Sequence, residues 1–314
     1  MLVGFVTLVW SADRFLNGAA ATARTLGMSP LMIGLTIVSL GTSAPEIVVA
    51  LAAAWNDTTL LAIGNAIGSN TANIGLVLGV AALIAPLPFA RSVLTSELPW
   101  LMVATAAAFV VLSNLHLGRI EGLALFALLG ILLYRLVREH RNNRMPDELV
   151  PDLEEISSLE ALSRTQALFW LITGLVVLVL AAELLVWASV TIALELGISE
   201  LIIGLTVIAI GTSLPELAAT VGAVLKGHTD IAIGNVVGSN ILNILAVMAI
   251  GPIVNPVTIG AAVLWRDFGT MLALTLLLLL FAYGRDRRPV ITRFEGGVLL
   301  LAWIGYNVLL YSHA

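Results

Sequence analysis

Two glutamates stand where the chain is otherwise apolar. Glu46 closes the run Gly41-Thr42-Ser43-Ala44-Pro45-Glu46, and Glu216 closes Gly211-Thr212-Ser213-Leu214-Pro215-Glu216. A carboxylate at the centre of a membrane-length apolar helix costs at least about 2.5–3.5 kcal/mol, so it needs a partner. Ser39, Thr42, Ser43 and Glu46 fall at i, i+3, i+4 and i+7, which places them on one helical face. Ala209, Thr212, Ser213 and Glu216 repeat that spacing. Pro45 and Pro215 have no backbone N–H and cannot bond back four residues, so each breaks or kinks its helix. Carbonyls near Ser39 and Gly41 lose partners as a result, which membrane depth tolerates only where they face protein or a polar cavity.

A second polar stripe follows each glutamate. Asn65, Ser69 and Asn73 are spaced i, i+4 and i+8, as are Asn235, Ser239 and Asn243. Gly64/Gly68 and Gly234/Gly238 form small-xxx-small pairs that let helices approach closely. Asn70 and Asn240 point away from the stripes, which favours a packing role. Together the two motifs supply carboxylate, hydroxyl and carboxamide oxygens. Hard cations such as Ca²⁺ and Na⁺ take such a lining, Ca²⁺ with about 6–8 oxygens. No His or Cys joins the cluster, which disfavours zinc and copper. Two ionised glutamates balance one Ca²⁺. Each feature alone has an ordinary explanation: a proline kink, a hydroxyl bonded to its own helix, an asparagine joining two helices. Two buried glutamates at matched positions, each on a hydroxyl-bearing face, argue against a purely structural role.

The elements that carry these motifs are membrane helices. The 314-residue chain is 59% hydrophobic and only 11% charged, whereas soluble domains are about 25% charged. Its net charge of −5 is modest and says nothing about nucleic acid, no nucleic-acid partner is expected, and the absence of Cys excludes disulfides and thiolate metal sites. Apolar runs predict ten helices, at residues 2–26, 30–54, 59–85, 97–113, 117–138, 167–195, 199–224, 229–255, 267–283 and 293–311. The long hydrophilic stretch from Arg138 to Arg164 divides the chain into a first unit, 1–138, a linker, 139–166, and a second unit, 167–314. The two motif copies align without a gap at an offset of 170 residues, from Gly34 and from Gly204. The same offset matches Asp13 with Glu183, and Glu97 with Asp267.

Five helices per unit is odd, so the second unit enters the membrane from the opposite side. The expected fold is therefore an all-α polytopic membrane protein: ten transmembrane helices in two inverted five-helix repeats, with helices 2 and 7 broken. This arrangement is common among secondary transporters. Arginines orient it. Arg135, Arg138, Arg141 and Arg144 make the linker cytoplasmic; Arg91, and Arg285, Arg287, Arg288 and Arg293, fall on the same side, with both termini outside. The first helix has fewer residues before Asp13 than its counterpart has before Glu183, which predicts a slightly shortened start. Asp13 and Glu183 admit three readings: a pair with Arg14, an access path, or a solvated charge. His116, His140, His228 and His313 fall in loops or at the end and read as surface residues. A cation channel would repeat about an axis normal to the membrane, and an intramembrane hydrolase would need a nucleophile or metal set that the core lacks.

The paired Gly-Thr-Ser-x-Pro-Glu and Gly-Asn-x-x-Gly-Ser-Asn-x-x-Asn motifs resemble the α-repeats of the cation/Ca²⁺ antiporter superfamily, and within it the prokaryotic sodium/calcium exchangers. The resemblance spans both units. It implies ion sites among helices 2, 3, 7 and 8, and alternating access as helices 1 and 6 slide across them. It implies the ligands Thr42, Ser43, Glu46, Ser69 and Asn73, with Thr212, Ser213, Glu216, Ser239 and Asn243, and the backbone carbonyls of Ser39 and Ala209. Glu46 and Glu216 would bridge Ca²⁺. Ca²⁺ and Na⁺ are expected as transported ions that bind transiently, with no cofactor, in an inner (cell) membrane, and with a single chain sufficient. Some exchangers carry Asp where this chain has Asn243, which leaves coupling to H⁺ or K⁺ open as the alternative to Na⁺.

Overall fold

The computed structural model describes residues 2–26, 30–142, 162–195, 209–283 and 289–312. The described chain is helical apart from short connections and four two-residue strands. Helix α1 is Leu2–Leu26 and α2 covers residues 30–55. Helix α3 is Thr59–Ile84, α4 is Val93–Leu112 and α5 is Arg119–Asn142. Helix α6 is Arg164–Glu195, and α7 is described over residues 209–225. Helix α8 is Thr229–Val254, α9 is Val263–Tyr283 and α10 is Arg293–Ser312. Among the described residues, six helices are long and apolar enough to cross a membrane, and a seventh if the bent pair Gly34–Thr42 and Ala44–Trp55 is one span.

The sequence places the start of α4 at 97 and of α9 at 267, but both helices begin four residues earlier. Glu97 and Asp267, the first residues of the helices expected from the sequence, each lie inside the helix. Glu97 is buried, and Asp267 accepts hydrogen bonds from Arg266 and Tyr306. Each belongs to a wide, π-type turn, Val93–Glu97 and Val263–Phe268. Similar turns begin at Asn73 and Asn243, and another occupies Gly34–Val38. Such turns bring one extra residue into the helical circuit and often occur at functional positions. Helices α5 and α6 also extend into both ends of the stretch read as linker, to Asn142 and from Arg164. Residues 143–161, the first part of helix 7 before Ala209, and Arg285, Arg287 and Arg288 lie outside the described residues.

Helices α3 and α8 form the centre. In the most apolar window of α8, 89% of residues are buried, against 17% in α10. Peripheral helices turn apolar side chains outward, as at Val110, Phe294, Leu301 and Val308, which suits contact with lipid tails rather than water. Helix α8 packs on the first half of α2 through glycine. A Cβ at Gly238 would stand 2.5 Å from the Leu35 carbonyl oxygen, and one at Gly34 would stand 2.4 Å from that of Ile231. Gly238 thus makes the close approach its motif predicts. Gly64 and Gly68 face no atom within 4 Å among the described residues.

The short strands tie the units together crosswise. Strand β1 (Leu87–Pro88), after α3, pairs antiparallel with β4 (Val290–Ile291), before α10. Strand β2 (His116–Leu117), before α5, pairs with β3 (Val257–Thr258), after α8.

Helices α1 and α6 pack as a close pair. A Cβ on Gly18 would meet the Leu171 nitrogen at 2.2 Å, and one on Gly174 would meet that of Phe15 at 2.5 Å. The Arg14 guanidinium lies over the rings of Trp170 and Trp10, at 4.9 and 5.8 Å. Asp13 does not pair with Arg14. It accepts an ion pair from Lys226, beyond the end of α7, at 2.5 Å. Glu183 is exposed.

Candidate cation site

The glutamates owe their placement to the prolines. After Thr42 the chain leaves helical geometry at Ser43 (φ −81°, ψ 7°) and restarts as Ala44–Trp55, with Pro45 in the first turn. Ser213 does the same (φ −89°, ψ 4°) before Leu214–Leu225 and Pro215. A proline is well placed there because its missing N–H would be unpaired at a helix start anyway. The two halves of α2 are bent by 50°. Glu46 and Glu216 therefore both sit in the first turn of a new helix, where the helix dipole favours negative charge. The proline motif reads as a breaker from sequence; its second effect is to aim a helix N-terminus at each carboxylate.

The two copies meet. Ser43 Oγ on α2 donates to Glu216 Oε1 on α7 at 2.9 Å, and Ser69 Oγ on α3 donates to Glu46 Oε1 at 3.3 Å. Both carboxylates are fully buried. Threonines and asparagines cross between units. Thr42 Oγ1 donates to Asn235 Oδ1 at 3.1 Å, and Thr212 Oγ1 donates to Asn65 Oδ1 at 3.4 Å.

The site residues named from the sequence divide into two groups. Thr42, Ser43, Glu46, Ser69, Asn73, Ser213, Glu216, Ser239 and Asn243 are all buried, and Thr212 is half-buried. Ser39 turns away: its hydroxyl donates to the Leu35 carbonyl of its own helix at 2.6 Å. The Ser39 carbonyl accepts the Ser43 N–H at 2.9 Å and Thr42 Oγ1 at 3.4 Å, so the proline does not strip it of partners. In the second copy the Ser213 N–H goes to Ile210, at 3.1 Å. Thr220 escaped the sequence reading. It accepts a hydrogen bond from Asn235 Nδ2 at 2.9 Å, and its place four residues after Glu216 was the available signal. His116 is exposed as expected and His228 is half-buried, while the side chains of His140 and His313 lie outside the description.

Part of the cluster lacks protein partners. Glu46 Oε2, Glu216 Oε2, Ser213 Oγ, Ser239 Oγ, Asn73 Oδ1 and Asn243 Oδ1 are buried oxygens with no hydrogen bond of acceptable geometry among the described residues. Buried polar atoms are paired in the great majority of cases, and leaving one unpaired costs about 1–3 kcal/mol. These six oxygens, two of them on the carboxylates themselves, match the number and type that a hard cation takes.

Buried carboxylates and unpartnered oxygens inside an apolar helical bundle define an ion-handling membrane protein. The sodium/calcium exchanger protein family matches residues 1–138 and 166–312, and the chain belongs to that family of membrane antiporters. It is a transporter, not an enzyme. It is 47% identical over 313 residues to the putative antiporter CaxA of Alkalimonas amylolytica, covering 99% of this chain and 98% of that one. It is 37% identical over 312 residues to the inner membrane protein YrbG of Escherichia coli, covering 99% and 95%. Its fold superposes on a solved structure of the sodium-calcium exchanger NCX_Mj with a TM-score of 0.81 and 32% identity, over 97% of this chain and 95% of that one.

Proposed function

We propose that this protein exchanges Na⁺ for Ca²⁺ by alternating access at one shared site. The observation that carries the reading is the cluster of buried, unpartnered oxygens around Glu46 and Glu216. Thr42, Ser43, Glu46, Ser69 and Asn73, with Thr212, Ser213, Glu216, Ser239 and Asn243, serve as ligands, joined by the carbonyls of Ser39 and Ala209. Glu46 and Glu216 balance one Ca²⁺. With Na⁺ bound, the same carboxylates and the Ser43 and Ser213 hydroxyls serve separate positions of smaller charge. Ca²⁺ and Na⁺ then exclude one another, which is the basis of exchange.

The architecture proposed with it is ten spans in two inverted repeats, residues 1–138 and 167–314, with helices 2 and 7 broken. The strand pairing supports inversion. At the offset of 170 residues β3 is the counterpart of β1, yet β1 pairs with β4 and β3 with β2. Counterpart loops therefore do not pair with each other, as a two-fold axis in the membrane plane requires. The arginines then place both termini outside and the segment 139–166 in the cytoplasm. One chain contains the whole cluster, so a monomer suffices.

The energetics set a bound. Exporting Ca²⁺ against a 10⁴-fold gradient costs about 5.6 kcal/mol. Moving its two charges against about 100 mV adds about 4.6 kcal/mol. One Na⁺ entering down a tenfold gradient and the same potential returns about 3.7 kcal/mol. Steep export under these gradients needs about three Na⁺ per Ca²⁺. The test is Ca²⁺ uptake into proteoliposomes under an imposed Na⁺, H⁺ or K⁺ gradient. Uptake driven by Na⁺, and generating a membrane potential, is expected. Uptake driven by H⁺ or K⁺ alone would replace Na⁺ as the coupling ion.

A further inference from the structure

Three buried asparagines are joined where α3 crosses α8, and a fourth, Asn243, is not tied in the same way. Asn70 Nδ2 donates to the backbone carbonyl of Asn240 at 3.1 Å, and Asn73 Nδ2 donates to the side-chain Oδ1 of Asn240 at 3.1 Å. Asn73 is thereby fixed with its nitrogen turned to α8. Its Oδ1 is buried and unpartnered, one turn along from Ser69, whose hydroxyl reaches Glu46. The counterpart arrangement in the second unit would have Asn243 Nδ2 donate to Asn70 Oδ1, and that bond is not made. Both polar atoms of Asn243, and Asn70 Oδ1, lack partners among the described residues.

We infer that Asn240 is a positioning residue: it captures the Asn73 amide nitrogen and so presents the Asn73 oxygen to the cation. This rests on the reading of the cluster as a cation site. The physical reason is that a carboxamide has one end that binds a cation and one that repels it. The Oε2 atoms of Glu46 and Glu216 lack partners in the same cluster. Hydrogen bonds to charged acceptors are roughly twice as strong as neutral ones. Released from Asn240, the Asn73 amide turns its nitrogen to a carboxylate, which removes one ligand and occupies a lone pair of another. Asn240 Oδ1 prevents that turn. Because only the side chain of Asn240 holds Asn73, while its backbone holds Asn70, the two ties can be cut separately.

The test is direct Ca²⁺ binding to purified protein in detergent, by equilibrium dialysis, in a double-mutant cycle. Asn240→Ala is expected to weaken Ca²⁺ binding by about 10- to 100-fold, as losing an orienting partner does at metal sites. An aspartate at position 73 has two equivalent oxygens and no wrong end. Adding Asn240→Ala to Asn73→Asp is therefore expected to change binding by less than about threefold relative to Asn73→Asp alone. Asn240→Asp keeps an acceptor for the Asn73 nitrogen and is expected to retain binding, which covers the case that the alanine variant does not fold. Equal losses from Asn240→Ala in both backgrounds, or weakened binding in Asn240→Asp, would overturn the positioning role. If the exchange reading alone fails, wild-type protein binds Ca²⁺ but shows no ion-driven Ca²⁺ flux, and the cycle is still read.

Discussion

The hydroxyl of Ser43, on α2, donates to the carboxylate of Glu216, on α7, at 2.9 Å. One unit therefore holds the charge of the other. The equivalent hydroxyl, Ser213 Oγ, makes no hydrogen bond among the described residues. Hydrogen bonds to charged groups contribute about 1.5–3 kcal/mol. Ser43→Ala should therefore lower thermal stability in detergent, and Ser213→Ala should not. Both should raise the Na⁺ concentration needed for half-maximal Ca²⁺ flux, roughly tenfold or more for Ser43→Ala. Equal stability in the two variants would show that the Ser43–Glu216 bond carries no weight.

Neutralising either glutamate should stop Ca²⁺ exchange while leaving the fold intact. Glu46→Gln and Glu216→Gln keep the shape and one accepting oxygen but halve the charge available to a divalent ion. Initial Ca²⁺ uptake in proteoliposomes is expected to fall more than about tenfold in each, since one of the two negative charges that balance Ca²⁺ is lost and a hard cation prefers charged oxygen ligands. Undiminished uptake in both would remove the site assignment.

The parts of this site that sequence could reveal were the local ones. Pro45 and Pro215 announced the breaks, and the i, i+4, i+8 stripes put Asn65, Ser69 and Asn73 on one face. The resemblance to exchangers added the ligand set. Contacts between distant segments were not legible. The crossed Thr42–Asn235 and Thr212–Asn65 bonds depend on how α2 meets α8 and how α7 meets α3, which no spacing encodes. Asn240 read as a packing residue because its side chain leaves the stripe, yet that departure is what lets it reach Asn73. The expected helices begin at Glu97 and Asp267, four residues late. The wide turns that bring them inside have no compositional mark.

Gly238→Ala should be among the most damaging single changes outside the carboxylates. The new methyl would meet the Leu35 carbonyl at 2.5 Å, Ser39 Oγ at 2.7 Å and Ser39 Cβ at 2.8 Å. Two of those contacts are to a side chain held on its own helix, so α2 and α8 must part. Overpacking of this kind costs about 1–3 kcal/mol. Gly297→Ala, with no atom within 4 Å of the new methyl, is the control and should be neutral or slightly stabilising. Melting temperature in detergent and Ca²⁺ flux measured together would check it.

Lys226 joins α7 to α1 by pairing with Asp13 at 2.5 Å and donating to Asn17 Oδ1 at 2.6 Å. Because the Asp13 side chain is 44% exposed, screening limits the pair to at most about 1 kcal/mol. Lys226→Met should lower melting temperature slightly in low salt, and the difference should shrink at high salt. Asp13→Asn added to Lys226→Met should cost little more. A large or salt-independent effect would mean that the aliphatic stem of Lys226, and not its charge, holds the helices.

His228 occupies the position just before α8, outside the membrane-spanning segments, and makes no side-chain cap. Burial, and then the nearby charge of Lys226, lowers its pKa below the ordinary histidine value. The folded protein thus binds this proton less readily than the unfolded chain does. The stability it contributes is present above the unfolded value, about 6.5, and is lost as pH falls toward the folded one. Melting temperature should drop on acidification through that window, and His228→Gln should remove that part of the slope. An unchanged slope would assign the drop to other groups.

Asn243 tests the charge balance of the site. Its carboxamide is fully buried and both of its polar atoms lack protein partners, so Asn243→Asp changes charge with almost no change in shape. Two carboxylates match one Ca²⁺; a third leaves each loaded state one charge short. The variant should bind Ca²⁺ at least as tightly as the wild type. It should exchange slowly unless a further monovalent cation, Na⁺, K⁺ or H⁺, enters with the load. Ca²⁺ flux measured against added K⁺ and against pH would separate these. Flux in Asn243→Asp that matches the wild type with no new ion dependence would show that residue 243 stands apart from the cation site.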